Sequence, residues 1–120
     1  MEEAHNYLGS DNYSRASKVV RRLVKEGRKY GISAMVVSQR PSEIDPTILS
    51  QCATTIALRL TNSNDRGIIA NSISDNLSNL VNMLPILKTG ESIIIGEAVK
   101  MPMRAIITFP EKKNTIGYLA

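Results

Sequence analysis

Tryptophan is absent from these 120 residues, phenylalanine occurs once, and aromatic side chains make up 4% of the chain. A platform for stacking the bases of a single-stranded nucleic acid is therefore not expected. The one cysteine, Cys52, excludes an internal disulfide and fits a reducing compartment, and its side chain is expected to be a small buried apolar group. The one histidine, His5, stands in neither a His-Glu-x-x-His pattern nor a Cys/His cluster, so a protein-built zinc site is set aside. No Gly-x-Ser-x-Gly elbow points to a serine hydrolase. Long apolar runs are missing too: Ile32 to Val37, broken by Ser33, is far short of the roughly 20 residues of a membrane-spanning helix. The acidic start does not resemble a secretory signal. Finally, the seven glycines include no Gly-x-x-x-x-Gly-Lys-Ser/Thr, the loop that cradles nucleotide phosphates.

What is present is an ordinary globular composition, 42% apolar and 22% charged, without low-complexity or disordered tracts and long enough for one domain at most. The net charge of +4 is modest, but it is unevenly spread. From Arg15 to Arg40, the residues Arg15, Lys18, Arg21, Arg22, Lys25, Arg28, Lys29 and Arg40 meet a single acid, Glu26. A solvated helix face accounts for most of them, and a polyanionic partner or a subunit interface is the other reading.

Periodicity orders the chain into strands and helices. Leu8 to Tyr13 reads as a polar loop, with Ser14 placed to cap a helix. In that helix Ala16, Val19, Val20, Leu23, Val24 and Gly27 make one apolar stripe for packing on a sheet, and Gly31 is the left-handed C-terminal cap. Ile32 to Ser38 is a continuous apolar run of the kind found in buried parallel strands. Pro46, with Asp45 as N-cap, opens a short helix through Gln51. Thr54 to Leu60 predicts a strand, and Asp65 to Ser72 a helix. Ser74 caps another, whose apolar face is Leu77, Leu80, Val81 and Leu84, stopped by Pro85. Glu91 to Val99 and Met103 to Phe109 are two last strands around the turn Lys100-Met101-Pro102. The pattern predicts an α/β fold, its sheet mostly parallel and flanked by helices, with an antiparallel C-terminal edge pair. Met83, Met101 and Met103 are read as core or edge packing.

The chemistry lies at the start and in one turn. Glu2 and Glu3 are an adjacent acidic pair followed by Ala-His-Asn, and Val36-Val37-Ser38-Gln39-Arg40-Pro41 lies at the end of the first predicted strand. Adjacent residues of a strand point to opposite faces, so the two carboxylates can hold different roles but cannot face each other as a glycosidase pair. Such a pair is read as a Walker B motif, in which one acid serves Mg²⁺ and the other polarises the water that attacks a γ-phosphate. On this reading the chain begins inside that motif, and the phosphate-loop half is expected to precede it. Gln39 then stands at the carboxyl edge of the sheet, where α/β folds bind ligands.

The segments Glu2 to Leu8, Glu26 to Ser33, Val36 to Cys52 and Leu58 to Asp65, taken in their order and spacing, resemble the HerA and FtsK group of hexameric RecA-like DNA-pumping ATPases, HerA most closely. The likeness runs from Glu2 to about Pro110. It implies that residues 1–120 are the C-terminal portion of a RecA-like P-loop ATPase domain, with ATP and Mg²⁺ as cofactors. It implies Glu2 as the metal-associated acid, Glu3 as the general base and Gln39 as the residue that senses the γ-phosphate. Arg28 becomes an arginine finger for a neighbouring subunit, with Arg59 in reserve, beside the nucleotide-facing turn Thr61-Asn62. The implied partners are double-stranded DNA, bound without sequence reading, further copies of the chain in a hexameric ring, and a nuclease or other effector. The implied location is the cytoplasm. Two rivals stay open at this point: a non-catalytic binding module lacking a phosphate loop, and a conjugation or secretion ATPase of the same superfamily.

Overall fold

Pro46 behind Asp45 and Gly31 after a basic turn are local start and stop signals, and the computed structural model obeys both, while the helix expected at Asp65 to Ser72 starts two residues earlier, at Ser63. The structure describes residues 3–9, 15–71 and 78–110. Glu2, Ser14, Ser74 and Leu77 lie outside the described residues. Helices α1 (His5–Leu8), α2 (Arg15–Glu26) and α3 (Pro46–Leu49) precede strand β1 (Thr54–Ala57). Helices α4 (Ser63–Ala70) and α5 (Ser78–Met83) follow, then strands β2 (Glu91–Gly96) and β3 (Met103–Ile106). Tight 3₁₀ turns cover Gly27–Tyr30, Pro41–Glu43 and Leu84–Ile86.

The caps have physical causes. Asp45 accepts the Thr47 N–H at 2.7 Å, satisfying one of the orphan donors at the start of α3, and Pro46 has no N–H to lose there. Asn62 does the same for α4 through the N–H of Asn64 at 2.8 Å. Gly31, at φ 68°, ends the basic segment in the left-handed conformation, and the Ile32 N–H returns to the Gly27 carbonyl at 2.9 Å.

The sheet among the described residues is three-stranded and antiparallel, in the order β1-β2-β3. Ile56 stands opposite Ile94 and Ala57 opposite Ile93, while Ile94 pairs with Met103 on its other side. Its inner face carries Ala57, Ile93 and Ile95 onto Ile69, Val81, Leu84 and Leu87, all buried. The expected C-terminal antiparallel pair is present, and the sheet is not the mostly parallel one expected. Apolar runs report burial, not direction: the β-branched segment Thr54–Ala57 satisfies its ladder against β2 running the opposite way. Ile32 to Ser38 forms no strand here. Ile32 and Val37 stay 49% and 45% exposed.

A second, smaller core joins Ala4, Leu8, Ile44 and Ile48, with Val20, Val24, Val36 and Leu49 against it. It alters two sequence expectations. Leu8 ends a helical turn and is buried rather than opening a loop, and α2 shows the core a face centred on Ser17, Val20 and Val24, leaving Ala16 and Val19 exposed. The cause is that α2 packs on the short helices α1 and α3 instead of on a sheet. Cys52, expected inside, is exposed just beyond α3 with its thiol 3.5 Å from the Ile48 carbonyl.

Candidate functional site

The acidic opening and the Ser-Gln-Arg-Pro turn meet in space. The Ala4 N–H donates to the Val37 carbonyl at 2.9 Å, which lays the residues before α1 against the end of the Ile32 to Ser38 run. Glu3, one residue earlier, has φ 48°. A non-glycine residue rarely enters that left-handed region, and such strain concentrates at functional sites.

Two side chains from the neighbouring segment reach back, Gln39 to Glu3 and Ser38 to His5. Gln39 donates its amide Nε2–H to Glu3 Oε1 at 2.8 Å. The other carboxylate oxygen, Oε2, lies 3.4 Å from His5 Nδ1, and the same ring nitrogen is 3.0 Å from Ser38 Oγ. Ser38 Oγ also accepts the Arg40 N–H at 3.1 Å. The Glu3 side chain is 44% exposed, so it has access to water while both of its oxygens face fixed partners. A carboxylate so placed can orient a water molecule and take its proton.

Beyond Gln39 the turn is anchored by two acids whose distant partners were not legible beforehand. Asp65, buried at the first turn of α4, accepts the Ser42 N–H at 3.0 Å. Asp45, besides capping α3, pairs with Arg21 of α2. Arg21 is thereby removed from the solvated basic face to which its sequence position assigned it. Arg40 donates to Glu43 Oε1 at 2.6 Å, and that bond raises the guanidinium above its usual pKa.

Arg28 sits exposed in the 3₁₀ turn Gly27–Tyr30, and neither it nor Arg59 makes a hydrogen bond or ion pair with the Glu3 cluster among the described residues. Thr61 and Asn62 are likewise apart from that cluster. Thr61 gives its carbonyl to Arg66 Nη1 at 2.5 Å, and Asn62 spends its amide oxygen on the α4 cap. His5 and Ser38 are the site members that sequence reasoning passed over. Their adjacency to the acidic pair and to Gln39 was the available signal.

The described residues hold no group of three or more His, Cys, Asp or Glu suited to a metal ion. Mg²⁺ does not need one: it is bound through one or two carboxylates, waters and substrate phosphates. The half-exposed Glu3 carboxylate is compatible with that mode, and Glu2 lies outside the described residues. No helix among the described residues is long and apolar enough to cross a membrane.

No family model matches the chain. Curated relatives do match. The chain is 39% identical over 98% of its length to a probable helicase of Methanocaldococcus jannaschii. It is 43% identical over 85% of its length to the DNA double-strand break repair helicase HerA of Sulfolobus acidocaldarius, and 35% identical over 98% to that of Pyrococcus furiosus. It spans about a fifth of these relatives, 22%, 21% and 21% of their lengths. Among solved structures, the genome packaging NTPase of Sulfolobus turreted icosahedral virus 2 in complex with ATP-gammaS matches with a TM-score of 0.70 at 16% identity, covering 90% of this chain and 50% of that one. The same NTPase in complex with AMP gives 0.69. At that identity the likeness shows fold alone: this α/β chain is built like one half of a packaging NTPase.

Proposed function

We propose that this chain, homologous along nearly its whole length to a segment of the HerA-type helicases, supplies the water-activating part of an ATPase site in a motor that moves double-stranded DNA. The observation that carries the reading is the Gln39 to Glu3 hydrogen bond, which joins an acidic tip to a polar sensor on the adjoining segment. In this reading Glu3 takes the proton of the attacking water, and Gln39 orients the carboxylate with one amide hydrogen and would answer to the γ-phosphate with the other. Glu2 would hold Mg²⁺, which when bound would offset the charge of the ATP phosphates. Thr61 and Asn62 would lie at the nucleotide's edge through their backbone, since the Asn62 side chain caps α4.

The phosphate cradle belongs, in this proposal, to a part of a longer protein outside these residues. Joined to it, the Ile32 to Ser38 run would become a strand of a parallel sheet, which accounts for its exposed apolar side chains. Copies would assemble in a ring, hexameric in form, with Arg28 reaching a neighbour's site and the free cations of α2 meeting DNA phosphates or the next subunit. A motor of this kind, with DNA as its track and a nuclease or other effector as its partner, would work in the cytoplasm.

The test is Glu3→Gln in a protein that carries both this segment and a phosphate loop. Nucleotide affinity should hold within about twofold while turnover falls by a factor of ~10²–10⁴. Parallel loss of both would make Glu3 structural. The 120-residue chain alone should show no magnesium-dependent turnover. For Arg28, mixing Arg28→Ala subunits with Glu3→Gln subunits should restore hydrolysis where an intact Glu3 meets an intact Arg28. Mixed rings as inactive as either parent, with subunit exchange shown separately, would transfer the role to Arg59 or abolish it.

A further inference from the structure

The reading of Glu3 as the base leaves its neighbour His5 without a task. The geometry around the ring gives it one. Both oxygens of Glu3 have a neighbour: Gln39 donates to Oε1 at 2.8 Å, and His5 Nδ1 stands at ion-pair distance, 3.4 Å, from Oε2. A partly exposed glutamate would otherwise sample several rotamers, and only some aim the carboxylate at a given water.

The ring is the more rigid partner. It is 16% exposed against 44% for Glu3, and it sits at the first residue of α1 between the fully buried Ala4 and Leu8. Its proton can be placed by the neighbours. Ser38 Oγ already accepts the Arg40 N–H, and Nδ1 faces both that oxygen and a carboxylate oxygen. A lone pair on Nδ1 would point at negative charge, whereas an N–H there is attracted to both acceptors. With its hydrogen on Nδ1, the ring donates to Ser38 Oγ at 3.0 Å and turns the positive end of that N–H toward Glu3 Oε2 at 3.4 Å.

We propose that His5 is a positioning residue: its Nδ1–H, braced on Ser38, fixes the Glu3 carboxylate in one orientation toward the attacking water. This rests on Glu3 being the base. The ring does not touch nucleotide or water in this role. It acts through Glu3, and it ties the acidic tip to the segment bearing Gln39, so that base and sensor keep their register. Misplacing a reacting group by about 1 Å can lower a rate on the order of 10²-fold.

The experiment uses the longer protein containing both this segment and a phosphate loop. His5→Ala should lower kcat by ~10–100-fold with nucleotide Kd within about twofold. His5→Asn, whose amide N–H falls near the position of Nδ1, should recover most of the loss. Ser38→Ala should lower kcat by less, and adding it to His5→Ala should cost nothing more, because the two act as one unit. Should His5→Ala fail to fold, Ser38→Ala and the ¹⁵N spectrum of His5 in the present chain decide: the neutral ring should show Nδ1 protonated and Nε2 bare. Normal turnover in His5→Ala beside a dead Glu3→Gln overturns the positioning role and leaves the base standing. Normal turnover in Glu3→Gln overturns the base itself. Joint loss of binding and turnover in His5→Ala, not relieved by Asn, or a ring with Nδ1 bare, also overturns the proposal.

Discussion

The two cores of this chain are built by different means. Around β1, β2 and β3, apolar residues from a sheet and two helices close on one another, and the strands satisfy their own backbone bonds. Around Ala4, Leu8, Ile44 and Ile48 the apolar cluster is small, and polar links do much of the fastening: Arg21 to Asp45, His5 to Ser38, Gln39 to Glu3 and Ser42 to Asp65. Hydrophobic burial is non-directional, so it holds a shape without fixing single atoms. Hydrogen bonds fix atoms but add little net stability, about 1 kcal/mol each. The candidate chemistry sits where the polar fastening is.

Truncating one fully buried side chain in each core tests that contrast most strongly. Leu84→Ala should destabilise the chain by about 3–4 kcal/mol, and Ile48→Ala by about 2–3 kcal/mol, because short helices can close over the smaller gap. Urea denaturation measures both, and equal losses would dissolve the distinction. Next comes Asp45→Ala, which removes the α3 cap and leaves Arg21 of α2 without this carboxylate; about 2 kcal/mol is expected by the same measurement. Loss of only a few tenths would mean that the polar links are incidental.

The sheet core has a polar clamp that pH reads. The Lys88 N–H, at 2.7 Å, and then Arg104 hold the Glu91 carboxyl below the usual carboxylate pKa. A lowered folded-state pKa gives stability that is fully present above the unfolded value of about 4.3 and is lost as pH falls through the folded value. The melting midpoint should therefore drop in that acid window, and Glu91→Gln should flatten the drop. An unchanged profile would remove Glu91 from the account. The smallest effect belongs to the exposed Arg22 and Glu26 pair on α2, where Arg22→Ala should change stability by less than about 0.5 kcal/mol.

Legibility followed range. Signals that act within one turn were readable: the Asp45-Pro46 start, the Gly31 stop and the hairpin around Lys100 to Pro102 rest on local sterics and capping. Strand direction was not, since β1 and β2 are far apart in sequence and an apolar run looks the same in either sense. Glu3 and Gln39 were marked as belonging together by resemblance, and they do meet. Arg21 could not be told from its basic neighbours on α2, because only the fold brings Asp45 beneath it. His5 was missed because a lone histidine was weighed as a metal ligand rather than as a hydrogen-bonding brace.

The Ser42 to Asp65 bond crosses from one core to the other, with a donor in the turn after Gln39 and an acceptor buried at the start of α4. Its amide hydrogen is thus a built-in timer. It can trade for deuterium only when the two cores part or the turn lifts, and the protected amides of β2 can trade only when the sheet itself opens. Watching those two sites in one deuterium-exchange run would separate a loosening of the candidate site from unfolding of the sheet, without a label or a substitution.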